Sequence, residues 1–169
     1  LSIDAVEIRT EQDEDVKQYI QEKQIEWINV ELPEQIKQAH SLIKSVYLEK
    51  LKSLKKLGFS KPTNIISKKD LLKIQLELRI RILKKDRTAF YFVSLVAQLI
   101  KLEYILELLE TQTIPSTLKY IKKLETDASK AAKQIITNKD ILEAISIIKN
   151  INVNHPKIEK LKQIIADEL

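Results

Sequence analysis

The chain has 169 residues, 31% of them Asp, Glu, Lys or Arg, with a formal charge of +5, no cysteine and a single glycine, Gly58. That length supports one good core, and the lack of cysteine excludes disulfides and thiolate metal sites. One glycine and four prolines are too few turn-formers for an all-β or doubly wound α/β fold, and they favour long helices with short connections.

Residues 1–33 differ in pattern from the rest of the chain. Val6–Thr10 alternates apolar and polar side chains, which predicts a half-buried strand. Glu11–Gln21 is acidic and reads as a short helix with Val16, Tyr19 and Ile20 on its apolar side. Ile25–Leu32 alternates again and stops at Pro33, predicting a second strand. Two short strands do not make a stable sheet alone, so they are expected either to pair as an appendage or to belong to a sheet supplied elsewhere. The N-terminus is acidic and mixed, unlike a signal peptide. The missing initiator methionine is what a piece of a longer chain would show.

From Pro33 onward the pattern is helical. Glu34–Leu57 carries apolar residues at Ile36, Ala39, Ile43, Val46, Tyr47, Leu51 and Leu54, with Gly58 placed to end the helix. Phe59–Ile66, with Pro62 and Asn64, reads as a loop. Ser67 is a natural N-cap, with Asp70 in the first turn of a helix running to about Lys85. Phe90–Leu109 is apolar at nearly every position, interrupted by Ser94, Gln98, Lys101, Glu103 and Glu107. A helix apolar almost all round must be enclosed by others. Its uncharged run ends at Lys101, short of the about 20 residues a membrane span needs. Pro115 suits the first turn of the next helix, which places Leu118, Ile121, Leu124, Ala128, Ala131, Ala132 and Ile135 inward. Asn138–Ile151 is a further helix. His155 caps the last one, with Ile158, Leu161 and Ile165 inward. The expected fold is mainly α, an antiparallel helical bundle with a short two-strand N-terminal segment.

No catalytic constellation is visible. A phosphate loop or dinucleotide fingerprint needs more than one glycine. His40 and His155 are too far apart for a two-histidine zinc helix. The Asp13-Glu14-Asp15 run reads as a solvated helix start rather than a cation site. Charge is the informative feature. Residues 1–34 carry ten acids against three bases, a net of −7, whereas residues 44–87 carry fourteen bases against four acids, a net of +10. Lys50, Lys52, Lys55 and Lys56 end one helix; Lys61, Lys68, Lys69 and Lys73 follow; Arg79, Arg81, Lys84, Lys85 and Arg87 close the next. If these two helices are antiparallel neighbours, several of the cations gather around the 57–69 turn. Such a patch binds phosphates without reading bases. No exposed aromatics interleave with it, so duplex or junction backbone fits better than a stacking platform. A charged face can also be simply solvated.

Three stretches together resemble a known family. In VEIRTEQDEDVKQYIQEKQIEWINVELP, the residues Arg9, Thr10, Glu11, Asp15, Val16, Tyr19, Trp27, Val30, Leu32 and Pro33 resemble the segment after the first motor domain of archaeal Hef and its eukaryotic FANCM and Mph1 relatives. ELLETQTIPSTLKYIKKLE resembles that family's L-L-E-x-Q-G and Y-x-x-x-L elements through Leu108, Leu109, Glu110, Gln112, Tyr120 and Leu124. Thr113 stands where the family has glycine, so the helix stop there is expected to be built differently. NHPKIEKLKQII resembles the element before the second motor domain, which RIG-I-like and Dicer helicases share; the N-terminal run favours the Hef branch.

The resemblance implies a linking segment over 1–33, a thumb-like helical insert over 34–154, and a helix over 155–169 leading into the second motor domain. It implies a non-catalytic insert that helps a superfamily 2 helicase recognise forked or branched DNA in repair and fork restart. ATP and Mg would be bound by the parent and no cofactor by this segment. Its partners would be DNA and the parent's two motor domains, with no membrane, in the cytoplasm of an archaeal cell or the nucleus of a eukaryotic one. The expected DNA contacts are Lys50, Lys52, Lys55, Lys56, Lys61, Lys68, Lys69, Lys73, Arg79, Lys84, Lys85 and Arg87. The alternatives are a protein-docking bundle, which a large exposed apolar patch would mark, and the equivalent insert of an RNA-directed helicase.

Overall fold

The structure, a computed structural model, describes residues 7–10, 12–17, 25–55, 66–151 and 155–168. These form eight helices: α1 Glu14–Lys17, α2 Glu34–Lys55, α3 Lys68–Leu83, α4 Arg87–Thr111, α5 Ile114–Thr126, α6 Lys130–Ile136, α7 Lys139–Lys149 and α8 Pro156–Glu168. α1 is a single turn. Among the described residues there is no strand. The described parts of both expected strands are unpaired, and Ile8, Ile25, Trp27 and Ile28 face solvent, Trp27 at 87% exposure. Alternation makes a strand only when a neighbour takes its hydrogen bonds, and the bundle offers none. Among the described residues of this stretch, Leu32 alone packs on the core. Val6, Glu11, Tyr19, Ile20, Gly58 and the Phe59–Ile65 part of the loop lie outside the described residues.

The apolar helix is central, as its sequence requires. α4 packs against α2, α3, α5 and α6, while α2 also packs on α7. Leu99, Leu102 and Leu109 are wholly enclosed. The polar residues that interrupt α4 tie it to its neighbours. Gln98 Nε2 donates to Gln134 of α6 (2.8 Å), Lys101 to Asp127 at the α5–α6 corner (2.7 Å), and Glu107 accepts from Lys68 of α3 (2.6 Å).

Local signals set most helix ends. Ser67 and Asp70 form a full capping box at α3. Asp86, Thr113, Ser129 and Asn138 each cap the helix that follows them. α4 stops without a left-handed residue: Gln112 is extended, and Thr113 turns to cap α5 through the Ser116 N–H. The long helix expected from Pro115 to Ile135 is two. Asp127 and Ser129 break it, and Ala128, expected inward, is exposed.

His155 behaves as expected of an N-cap. It is buried, and its Nδ1 accepts from the Lys157 N–H. Lys157 Nζ in turn donates to the Glu110 carbonyl at the end of α4 (2.9 Å). Beyond that anchor α8 packs on no other helix among the described residues. Leu161 and Ile165, expected inward, are half exposed.

Candidate nucleic-acid interface

The arrangement of helices separates the cations that the sequence groups together. Among the described residues α3 packs on α4 and makes no close backbone contact with α2, although Lys68 at its start shares a groove with Lys44, Tyr47 and Leu48 of α2. The patch expected around the 57–69 turn falls largely outside the described residues, Lys56 and Lys61 with it.

The described cations occupy three settings. In the first, Lys68 sits over the Tyr104 ring (5.2 Å to its centre) and is neutralised by Glu107. The Glu107 hydrogen bond raises the lysine pKa. Lys68 faces a groove whose other wall holds Lys44 and Tyr47 of α2 and whose floor includes Glu103. Burial lifts the Glu103 pKa, Lys68 partly offsetting it. With two lysines, Lys44 and Lys68, against three glutamates, Glu103, Glu107 and Glu110, this groove is unsuited to a polyanion.

The second setting is the C-terminal half of α2. Lys52 and Lys55 are exposed, whereas Lys50 is half-buried and its pKa is lowered by burial. Lys50 faces Tyr91 and Ser94 of α4 and Lys130 of α6.

The third setting holds half of the expected residues. Lys69, Lys73 and Arg79 are exposed on α3, and Lys84, Lys85 and Arg87 on the α3–α4 turn. None of the six forms an ion pair among the described residues. Arg81 is different: its Nε and Nη2 both donate to Asp86 Oδ2 (2.9 and 2.7 Å), and Asp86 Oδ1 accepts from the Thr88 N–H. Thr88 first and Arg81 second hold the Asp86 pKa down to about 2. The turn is thus pinned by its one acid, leaving its other cations to solvent. From Lys69 to Arg79 the helix rises roughly 15 Å, enough to meet several phosphates spaced about 3.4 Å apart along one duplex strand.

Two features of this surface escape the sequence pattern. Leu72, Leu76, Ile80 and Leu83 form an apolar stripe on the outer face of α3, each 49–83% exposed. Phe90 and Tyr91 at the start of α4 are 59% and 61% exposed, which corrects the expectation that no aromatic lies beside the cations. Both belong to runs that look like core. In the first turns of α4 only one side is covered, with Ala89 wholly buried while Phe90 and Tyr91 face out, and α3 has a partner on one side only. Among the described residues no group of three or more His, Asp or Glu could hold a metal ion, and no helix is long and apolar enough to cross a membrane.

Comparison with known proteins converges on one family. The family described as "Putative ATP-dependent RNA helicase, helical bundle" matches residues 35–155. A Methanocaldococcus jannaschii protein named "Putative ATP-dependent RNA helicase" is 34% identical over 170 residues, covering 100% of this chain. The chain spans 21% of that relative's length. The crystal structure of the Pyrococcus furiosus Hef helicase domain is similar with a TM-score of 0.79 and 32% identity, over 99% of this chain and 36% of that one.

Proposed function

The chain belongs to the helical-bundle family of ATP-dependent helicases, and on that premise we propose that it is a non-catalytic nucleic-acid grip within such an enzyme, acting on forked or branched DNA. The observation that carries this reading is the run of six exposed cations, Lys69 to Arg87, without acidic partners among the described residues. The resemblance of the N-terminal run to the Hef branch favours DNA, whereas the name of the Methanocaldococcus relative points to RNA. ATP and Mg belong, in this proposal, to motor domains outside the 169 residues, and repair or fork restart is the process served inside the cell. The contacts are to backbone phosphates, so affinity falls steeply with salt.

The test is fluorescence anisotropy of the purified chain with labelled fork, duplex and single-stranded DNA and their RNA counterparts, at low and moderate salt. The proposal expects salt-sensitive binding, tightest to the DNA fork. Preference for the RNA duplex would assign the insert to the RNA-directed branch. No binding at low salt would remove the proposal.

A second reading has its own observation. The stripe of Leu72, Leu76, Ile80 and Leu83 is an apolar face that a phosphate grip does not need. It suits docking against protein, including the parent's own motor domains. A chain that binds no nucleic acid and associates through this face, with Leu76→Lys dispersing it, would put this reading first.

A further inference from the structure

One groove brings together two polar groups whose demands the fold does not meet. It lies between the C-terminal half of α2, the N-terminal half of α4 and α6, with a volume of about 390 Å³. Gln98 is only 5% exposed. Its Nε2 donates to the Ser94 carbonyl (3.2 Å) and to Gln134 Oε1 (2.8 Å), and Ser94 Oγ donates to the same Gln134 oxygen (3.2 Å). With its donors committed, the amide is held one way round. Its Oε1 is buried without a hydrogen-bond partner among the described residues. A buried amide oxygen in that condition is uncommon and calls for an N–H or O–H donor.

Lys50 enters from the facing helix. It is half-buried, and no described carboxylate forms an ion pair with it. Lys130 adds a second cation, and Glu49 in the same wall offsets one of the two charges. Tyr91 stands at the rim, its ring set edge-on against Phe92 at 82° with centroids 5.0 Å apart.

We propose, on the reading that this domain grips nucleic acid, that the groove takes one unstacked nucleobase of a single-stranded segment, stacked on Tyr91, donating an amino or imino N–H to Gln98 Oε1, with neighbouring phosphates on Lys50 and Lys130. Every base has a π-face and at least one N–H donor, so such a site takes strands of any sequence. The volume is of the size that holds a small planar group. A bare anion is a poor match, because Glu49 and Gln98 Oε1 both repel it. An apolar side chain leaves the amide oxygen unsatisfied. The site also gives the exposed Tyr91 a task that backbone contacts on α3 do not.

The test measures anisotropy of a labelled oligothymidylate, a labelled oligouridylate and a blunt duplex on the whole chain and on Tyr91→Ala and Gln98→Leu, with circular dichroism verifying the fold. Both variants are expected to lose about tenfold in affinity for single strands while binding duplex as the parent does. Equal losses on the deoxy and ribo strands would mark a base site indifferent to the sugar, and a loss on one alone would name the strand it takes. Unchanged single-strand binding, or equal weakening on the duplex, overturns the groove while leaving the α3 grip standing. Failure of the parent chain to bind any of the three overturns both.

Discussion

Asp127 shows how much one carboxylate can organise. Its Oδ2 accepts from Lys101 Nζ of α4 (2.7 Å) and its Oδ1 from the Ser129 N–H (2.8 Å). It therefore pins the α5–α6 corner to the central helix. Those bonds, the Lys101 one foremost, hold its pKa well below the usual carboxylate range. A carboxylate lowered by folding contributes stability that is complete above its unfolded value, 3.8, and is lost as the pH falls through the folded one. The parent chain should melt at progressively lower temperature below about pH 4. Asp127→Asn should melt lower than the parent at neutral pH, with a flatter profile in acid and the two curves converging; parallel curves would count against the assignment.

Lys85 is a second residue with a consequence. Its φ is 62°, the left-handed region, and it closes the end of α3: its N–H donates to the Ile82 carbonyl (2.8 Å) and the Asp86 N–H to the Arg81 carbonyl (3.1 Å). This turn usually uses glycine, and a side chain with a Cβ costs about 1 kcal/mol there. Lys85→Gly is expected to raise stability by about 0.5–1 kcal/mol in urea melts and to weaken nucleic-acid binding by one phosphate contact. Single residues of this kind are half legible in sequence. Ser67, Asp86, Thr113 and Asn138 act as caps because capping is local chemistry, whereas the pairing of Lys68 with Glu107 joins residues far apart in the chain.

Among the elements, α4 behaves as its composition demands and α3 does not. Leu99 is fully enclosed on α4 and Leu76 is 60% exposed on α3. Leu99→Ala is expected to cost about 3 kcal/mol through the cavity it leaves. Leu76→Ala should stay within about 0.5 kcal/mol. Equal costs in urea denaturation would mean that the α3 stripe is covered in the isolated chain. Periodicity finds a helix and its apolar positions, but α3 has apolar positions on two faces, and only its packing on α4 alone decides which face is core. The same gap explains α8: its face reads as inward because it is apolar, yet beyond His155 and Lys157 nothing in the described bundle receives it. In the α5–α6 region the inward pattern runs on across a break that Asp127 and Ser129 cause locally.

For the whole molecule the proposed grip has a quantitative signature. Reversing Lys69, Lys73, Lys84 and Lys85 to Glu leaves the core and the Lys68–Glu107 pair untouched. It should abolish measurable binding at moderate salt, and single reversals should each lower the salt slope by about 0.9. Lys68→Glu is a poorer probe, because it would set two carboxylates against each other where one ion pair now stands. The sequence by itself determined the helical class, the central place of α4, the Ser67 and His155 caps and the concentration of positive charge in residues 44–87. All of these depend on interactions a few residues long or on composition. Only the tertiary structure decided that α3 packs on α4 rather than on α2, that Lys68 and Arg81 are paired with carboxylates while Lys69, Lys73, Arg79, Lys84, Lys85 and Arg87 are not among the described residues, and that Tyr91 meets Lys50, Gln98 and Lys130 across one groove. Those outcomes depend on which helix lies beside which. That is settled by close packing of whole faces, a property no single segment carries.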